Sequence, residues 1–258
     1  MIRFLNITEE EFLQSKLLYK HMPLENALRT LKDKYLWFAS PREWKDPFER
    51  RFLDAKYTRK GNEVKFNWRN KVYCSCFTQT QSSEAFWNAY SGNSIGIEFR
   101  VYREALLEEL KRYSKKYDIY IGKAEYHSTE EIIRTDLKSI KFKDPIPKDM
   151  GVNSKEYAAR LFLLKRLSFS YENEIRIILI KDNEDASGIA LNYNCDNNNL
   201  IQSIVLDPTL GDYTIDMLTD LFVKTYGFTP FVNKGKVEKR VLRSVLYKSQ
   251  EPAVLKLD

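Results

Sequence analysis

The segment from Phe169 to Ile180 constrains this chain more than any other. It closes on Ile175 to Ile180, which is too short and too rich in β-branched residues for a free-standing helix and is therefore expected to be a buried strand. Glu172, Glu174 and Arg176 alternate ahead of and within that run, so a strand projects them to one face. Two carboxylates beside an apolar core oppose each other's ionisation through desolvation and repulsion unless Arg176 or a ligand compensates them. Such sites are enriched in function. A structural Glu-Arg pair at a sheet edge is the equally weighted alternative.

At 258 residues the chain can bury one generous core, and a single domain spanning 1–258 is expected, with an insertion around 127–151 that contains Asp144-Pro145-Ile146-Pro147. A formal charge of +6 favours an acidic partner, of which nucleic acid is the commonest. Nothing approaches the ~20 apolar residues needed to cross a bilayer, and no secretion signal opens the chain, so a cytoplasmic protein without a membrane role is expected. Cys74, Cys76 and Cys195 lack metal-ligand spacing, so no metal site is expected.

Elsewhere, apolar runs punctuated by Gly, Pro, Ser and Asp predict a strand at 17–21, a helix from Pro23 to about Lys34, and strands at 35–39, 72–77 and 94–101. Ser83 is placed to cap a short helix ended by Gly92 that carries Trp87 and Tyr90 on one face, either in the core or walling a pocket. Helices are also expected over 102–116, from Ser154 to about Arg166, and over 212–226, where Asp212 is the expected cap and Gly227 the stop. Strands at 119–126 and 200–206, an Asn-rich loop at 194–199, an extended stretch at 228–233 and a last strand near 241–247 complete the pattern. The sum is a mixed α+β domain of roughly eight to ten strands and about five helices.

Residues 42–73 hold ten Lys or Arg against five acids, interleaved with seven aromatic residues. Cations alternating with stacking surfaces suit a single-stranded nucleic acid and single out Arg42, Lys45, Arg50, Arg51, Trp68 and Arg69. A solvated basic face over a core edge is the competing reading.

Four separated pieces occur in order: Leu18-Tyr19-Lys20 before a helix; Trp37-Phe38-Ala39-Ser40-Pro41 with Asp46-Pro47-Phe48-Glu49; Cys76-Phe77 with Trp87-x-x-Tyr90 and Gly96-Ile97-Glu98-Phe99; and Glu172-x-Glu174-x-Arg176. Together they resemble a large, poorly characterised bacterial family with the pattern Ser-Pro, Asn-Asp-Pro-Phe-Glu, Trp-x-x-Tyr, Glu-x-Glu-x-Arg; Lys45 stands where that family usually has Asn. More loosely, the layout resembles ADP-ribosyltransferases, such as toxins of the DarT type and the messenger-RNA-modifying toxin of toxin-antitoxin-chaperone phage-defence systems. That resemblance implies mostly antiparallel sheets with peripheral helices and NAD as the substrate. Glu174 would stabilise the cationic ribose, Glu172 would orient or deprotonate the acceptor, and Arg176 would hold a carboxylate or reach the pyrophosphate. Tyr19, Lys20 and Ser40 would lie along NAD, with Trp87 and Tyr90 against nicotinamide or the acceptor base.

The expected function is an NAD-dependent ADP-ribosyltransferase toxin modifying nucleic acid, RNA first, in toxin-antitoxin or anti-phage defence and partnered by an antitoxin. The alternatives are an NAD-independent RNase toxin and a non-enzymatic module binding nucleic acid or a protein partner.

Overall fold

In the computed structural model the described residues are 1–81, 83–91, 94–133, 140–145, 150–152, 154–182, 187–194, 200–229 and 240–247. Gly92, most of the Asn-rich loop, most of 228–233 and much of the proposed 127–151 insertion lie outside them. The first third forms β1 (Ile2–Leu5), α1 (Glu9–Leu13), β2 (Leu17–Pro23), α2 (Leu24–Asp33), β3 (Tyr35–Ala39), α3 (Pro47–Asp54), β4 (Tyr57–Arg59), β5 (Asn62–Val64) and β6 (Val72–Thr78). The middle gives α4 (Glu84–Ser91), β7 (Gly96–Tyr102), α5 (Arg103–Tyr113), β8 (Asp118–Lys123), β9 (Glu125–His127), α6 (Thr129–Ile132), α7 (Lys155–Leu161) and β10 (Leu164–Arg166). The rest gives β11 (Glu174–Ile180), β12 (Gly188–Asn192), β13 (Ile201–Leu206), α8 (Asp212–Tyr226) and β14 (Arg240–Arg243).

The architecture is mixed α+β with a mostly antiparallel main sheet. Its strand order is β1-β8-β11-β6-β2-β7-β13-β14, with β3 and β12 branching from β6. Among the described residues, only the β1–β8 and β13–β14 pairs in it are parallel. β6 is where the sheet forks: Cys74 pairs with Ala39 of β3, whereas Thr78 pairs with Tyr19 of β2.

All seven residues of β11 are buried, which explains its unbroken apolar run. A strand alternates its side chains, so Ile175, Ile177 and Leu179 enter one core with Leu18, Phe77 and Phe99, while Ile178 and Ile180 enter a second on the opposite face with Phe52, Trp68 and Leu161. Glu174 and Arg176 have the same parity as Ile178 and share the second face.

Several expectations change. Fourteen strands and eight α-helices occur among the described residues, more than expected. Helix α3 and the β4–β5 hairpin fall where no element is expected; the hairpin turns on Lys60 and Gly61, both at positive φ. The helix expected to run to about Arg166 stops at Leu161, and Leu164–Arg166 pairs in parallel with Glu125–His127 instead. The run Leu161-Phe162-Leu163-Leu164 suits either state, and tertiary pairing decides. Helix α8 is capped by Gly211 without a side-chain bond, so Asp212 is its first helical residue rather than its cap.

Candidate active site

A 3-10 turn over Leu167–Glu172 delivers the chain to β11 through Asn173, which takes the left-handed conformation at φ 41°. Asn accepts this conformation more readily than most residues because its short polar side chain bonds locally. Here Asn173 Oδ1 accepts from Gln79 Nε2 at 3.2 Å and its carbonyl from Gln79 N at 3.1 Å. The reversal turns Glu172 and Glu174 to the same side, although only Glu174 belongs to the strand.

Both carboxylates meet Lys165. Its Nζ donates to Glu172 Oε2 at 2.5 Å and to Glu174 Oε2 at 3.0 Å, and lies 3.4 Å from Glu49 Oε1. Arg176 completes the cluster: Nε and Nη2 donate to Glu174 Oε2 at 3.1 and 2.8 Å, Nη2 to Glu49 Oε2 at 2.7 Å, and Nη1 to the Phe162 carbonyl at 2.7 Å. Glu172 and Glu174 are 4% and 3% exposed and Arg176 is fully buried. Trp44 covers the guanidinium at 4.6 Å from its ring centroid. Three carboxylates thus face two cations, with an excess of one negative charge when all are ionised.

The environments push the two glutamates apart. Burial opposes ionisation at Glu174, yet the Arg176 guanidinium and Lys165 ammonium hold its pKa down to about 2, with the Cys76 thiol hydrogen-bonded to it. At Glu172 burial wins over Lys165 and raises the pKa, helped by the charge of Glu174. Tyr90 OH donates to Glu172 Oε2 at 3.3 Å, and the Tyr126 hydroxyl accepts the Glu174 backbone N–H at 2.9 Å.

The structure therefore brings together three of the separated motifs. Glu49 and Trp44 reach Arg176, Asp46 holds Arg166 at 3.0 Å, and Tyr90 reaches Glu172. Glu49, Lys165 and Tyr126 were not singled out from the sequence. Glu49 lay within a motif, and Lys165 interrupts an apolar run, which was its one available signal.

The other candidates are more dispersed. Alternation puts Tyr19 and Lys20 on opposite faces of β2. Lys20 donates to Ser75 Oγ at 3.0 Å and to the Cys76 carbonyl at 2.8 Å, over the Phe77 ring, and burial lowers its pKa. Tyr19 lies beneath Arg100. Ser40, at the end of β3, accepts from the Arg42 backbone N–H. His21, unnoticed in the sequence, stacks on Phe86 at 4.9 Å, meets Trp87 edge-on, and lies 3.1 Å from the fully buried Glu98. Trp87 is itself buried.

For the basic aromatic segment, burial decides. Trp68 is 1% exposed, donates its Nε1 to the Val152 carbonyl and packs against Phe66, so it presents no face to a base. Phe52, Tyr57 and Tyr73 are buried too. Phe52, Tyr57 and Trp68 fill the second core and Tyr73 the first. Arg69 binds the Leu53 carbonyl, Arg51 the Ile132 carbonyl, Arg50 pairs with Asp54 and Arg42 bonds Asn70. Lys45 is exposed.

No group of three or more potential metal ligands occurs among the described residues, and no described helix is long and apolar enough to cross a membrane. A family model described as "Protein of unknown function (DUF2971)" matches residues 86–177, a span that holds Trp87, Tyr90, Glu172, Glu174 and Arg176. No curated protein matches the chain. Among solved structures, the chain is similar to Thermus sp. 2.9 DarT in complex with NAD+, at 12% identity and a TM-score of 0.37 over 93% of this chain and 98% of that one. It is similar also to Thermus sp. 2.9 DarT in complex with ADP-ribosylated ssDNA, at 11% identity and a TM-score of 0.38 over 93% and 97%.

Proposed function

We propose that this protein is an NAD-dependent ADP-ribosyltransferase acting on nucleic acid. The observation that carries the reading is the pair Glu172/Glu174, two carboxyls on one lysine whose pKa values are pushed in opposite directions; such a pair supports two different catalytic roles. Glu174, held ionised, would face the positive charge that builds on the ribose as the C1′–nicotinamide bond breaks and nicotinamide leaves with the electron pair. Glu172, whose raised pKa suits a base, would take the proton of the acceptor nucleophile as that atom bonds C1′. Arg176, fully buried on Glu174 and Glu49, acts as the carboxylate holder rather than as a pyrophosphate ligand. Tyr90 must release Glu172 for the acceptor to reach it. Trp87 offers one donor for the cofactor: its buried Nε1 has no hydrogen-bond partner among the described residues, as a pocket wall awaiting a carboxamide would. Tyr19, Lys20 and Ser40 remain proposed neighbours of NAD, and Arg42, Lys45, Arg50, Arg51 and Arg69 proposed phosphate contacts. RNA is the first acceptor to test. A toxin role in anti-phage defence, with an antitoxin covering the site, extends the same reading.

Incubation with labelled NAD and either RNA or single-stranded DNA tests it. The expected result is nicotinamide release and label on the nucleic acid, both lost in Glu174→Gln. RNA shortened without NAD would instead indicate a nuclease. A second reading, a binding module in which the cluster is purely structural, is favoured by the closure of the ion network on itself. It predicts that Glu174→Gln changes stability and nothing else.

A further inference from the structure

With Trp68 in the core, the exposed rings are found elsewhere: Trp37, Tyr213 and Tyr247 are scattered among them, and a group lies near Glu172. Around Glu172, Tyr171 is 42% and Tyr90 37% exposed, and Phe169 is half-buried. The Phe169 and Tyr171 ring centroids are 6.5 Å apart, and Tyr171 rests on the buried Phe86 at 5.9 Å. Beside them the Arg166 guanidinium is clamped. Its Nε and Nη2 donate to Asp46 Oδ2 at 3.1 and 3.0 Å, and its Cζ lies 4.5 Å from the Phe48 ring and 5.1 Å from the Phe169 ring. Lys45, exposed, sits in the chain between Trp44 over Arg176 and Asp46 beneath Arg166.

A ring backed by a buried ring loses little freedom when it is covered, and a guanidinium already held by Asp46, Phe48 and Phe169 offers a fixed positive charge beside it. Tyr171 directly precedes Glu172 in the chain, and the Phe169 ring lies 5.1 Å from the Lys165 ammonium that binds Glu172. Duplex bases expose only their edges, so this arrangement fits an unpaired base with its phosphate nearby; the chain's formal charge of +6 is complementary to that phosphate.

We propose that Tyr171, flanked by Phe169, is the stacking platform for one unpaired base of a single-stranded nucleic acid beside Glu172, with Arg166 supplying positive charge to its phosphate. This deepens the proposed function by locating its acceptor, and it can be tested without NAD. Fluorescence anisotropy of labelled single-stranded 10-mers of RNA and DNA, and of a matched duplex, is measured with the full chain. Single strands should bind more tightly than the duplex. Tyr171→Ala should weaken them roughly tenfold, the scale of one lost base-stacking contact, and Tyr171→Trp should restore them, with thermal melting confirming that each variant is folded. Binding unchanged in Tyr171→Ala, or a wild-type chain that binds no single strand, overturns the proposal. Absent nicotinamide release alongside the predicted binding pattern would sink only the NAD chemistry. Release alongside unaltered Tyr171→Ala binding would sink only the platform.

Discussion

Replacing Lys165 by Met removes the one ammonium that touches Glu49, Glu172 and Glu174 while keeping an unbranched apolar stem in its place. Among the described residues Arg176 is then the sole cation bonded within the three-carboxylate cluster, so two negative charges are left uncompensated where one was before. Breaking a buried pair by deleting one partner costs about 3–5 kcal/mol, because the remaining charge keeps its desolvation penalty. For a domain of this size that corresponds to a melting temperature lower by roughly 6–10 °C. The cost is pH-dependent, with a definite sign. In the wild type, Glu174 is held at about 2 against an ordinary 4.5, so its contribution is fully present above 4.5 and lost as the pH falls towards 2. Glu172, already raised by burial, loses stability as the pH climbs through its folded value. Without Lys165 both carboxyls move up. The variant's deficit is therefore greatest at pH 7 and shrinks on acidification as the carboxyls bind protons. Urea unfolding of both proteins at pH 7 and pH 4 measures it, and adding Glu172→Gln to Lys165→Met should recover part of the loss at pH 7. A deficit below 1 kcal/mol at pH 7, or one that does not shrink on acidification, would show that the cluster is wetter and weaker than its geometry implies.

Glu172→Gln alone should leave stability at pH 7 within about 1 kcal/mol or raise it, since the neutral amide avoids the burial cost of the charge, while ADP-ribose transfer falls; urea unfolding and a transfer assay separate the two effects. Trp68→Ala should cost about 3–5 kcal/mol in the same unfolding measurement through the cavity it leaves. Its affinity for single strands, measured at a temperature where the variant is fully folded, should match the wild type. Asn173→Val should lose about 1–2 kcal/mol, because a β-branched residue is strained at φ 41°, and thermal melting would show it.

The parts of this fold whose physics is local are legible in the residues alone. Strand β11 could be read because both its faces are buried, which forces an apolar run of strand length. The alternation of Glu174 and Arg176 on one face follows from strand geometry alone. Helices α2 and α4 were signalled by Pro23 and Ser83, whose backbone and side-chain preferences act within a few residues. Contacts between distant segments were decided by tertiary structure. Lys165 reaches the glutamates because Leu164–Arg166 finds a partner in β9, which ended a helix that periodicity would have prolonged. Glu49 joins Arg176 across more than a hundred residues of chain, a pairing that no local preference encodes. Trp68 and Tyr171 are both aromatic residues in a basic chain, and only packing made one a core residue and left the other at the surface beside Glu172, since burial depends on what the rest of the chain brings to that place.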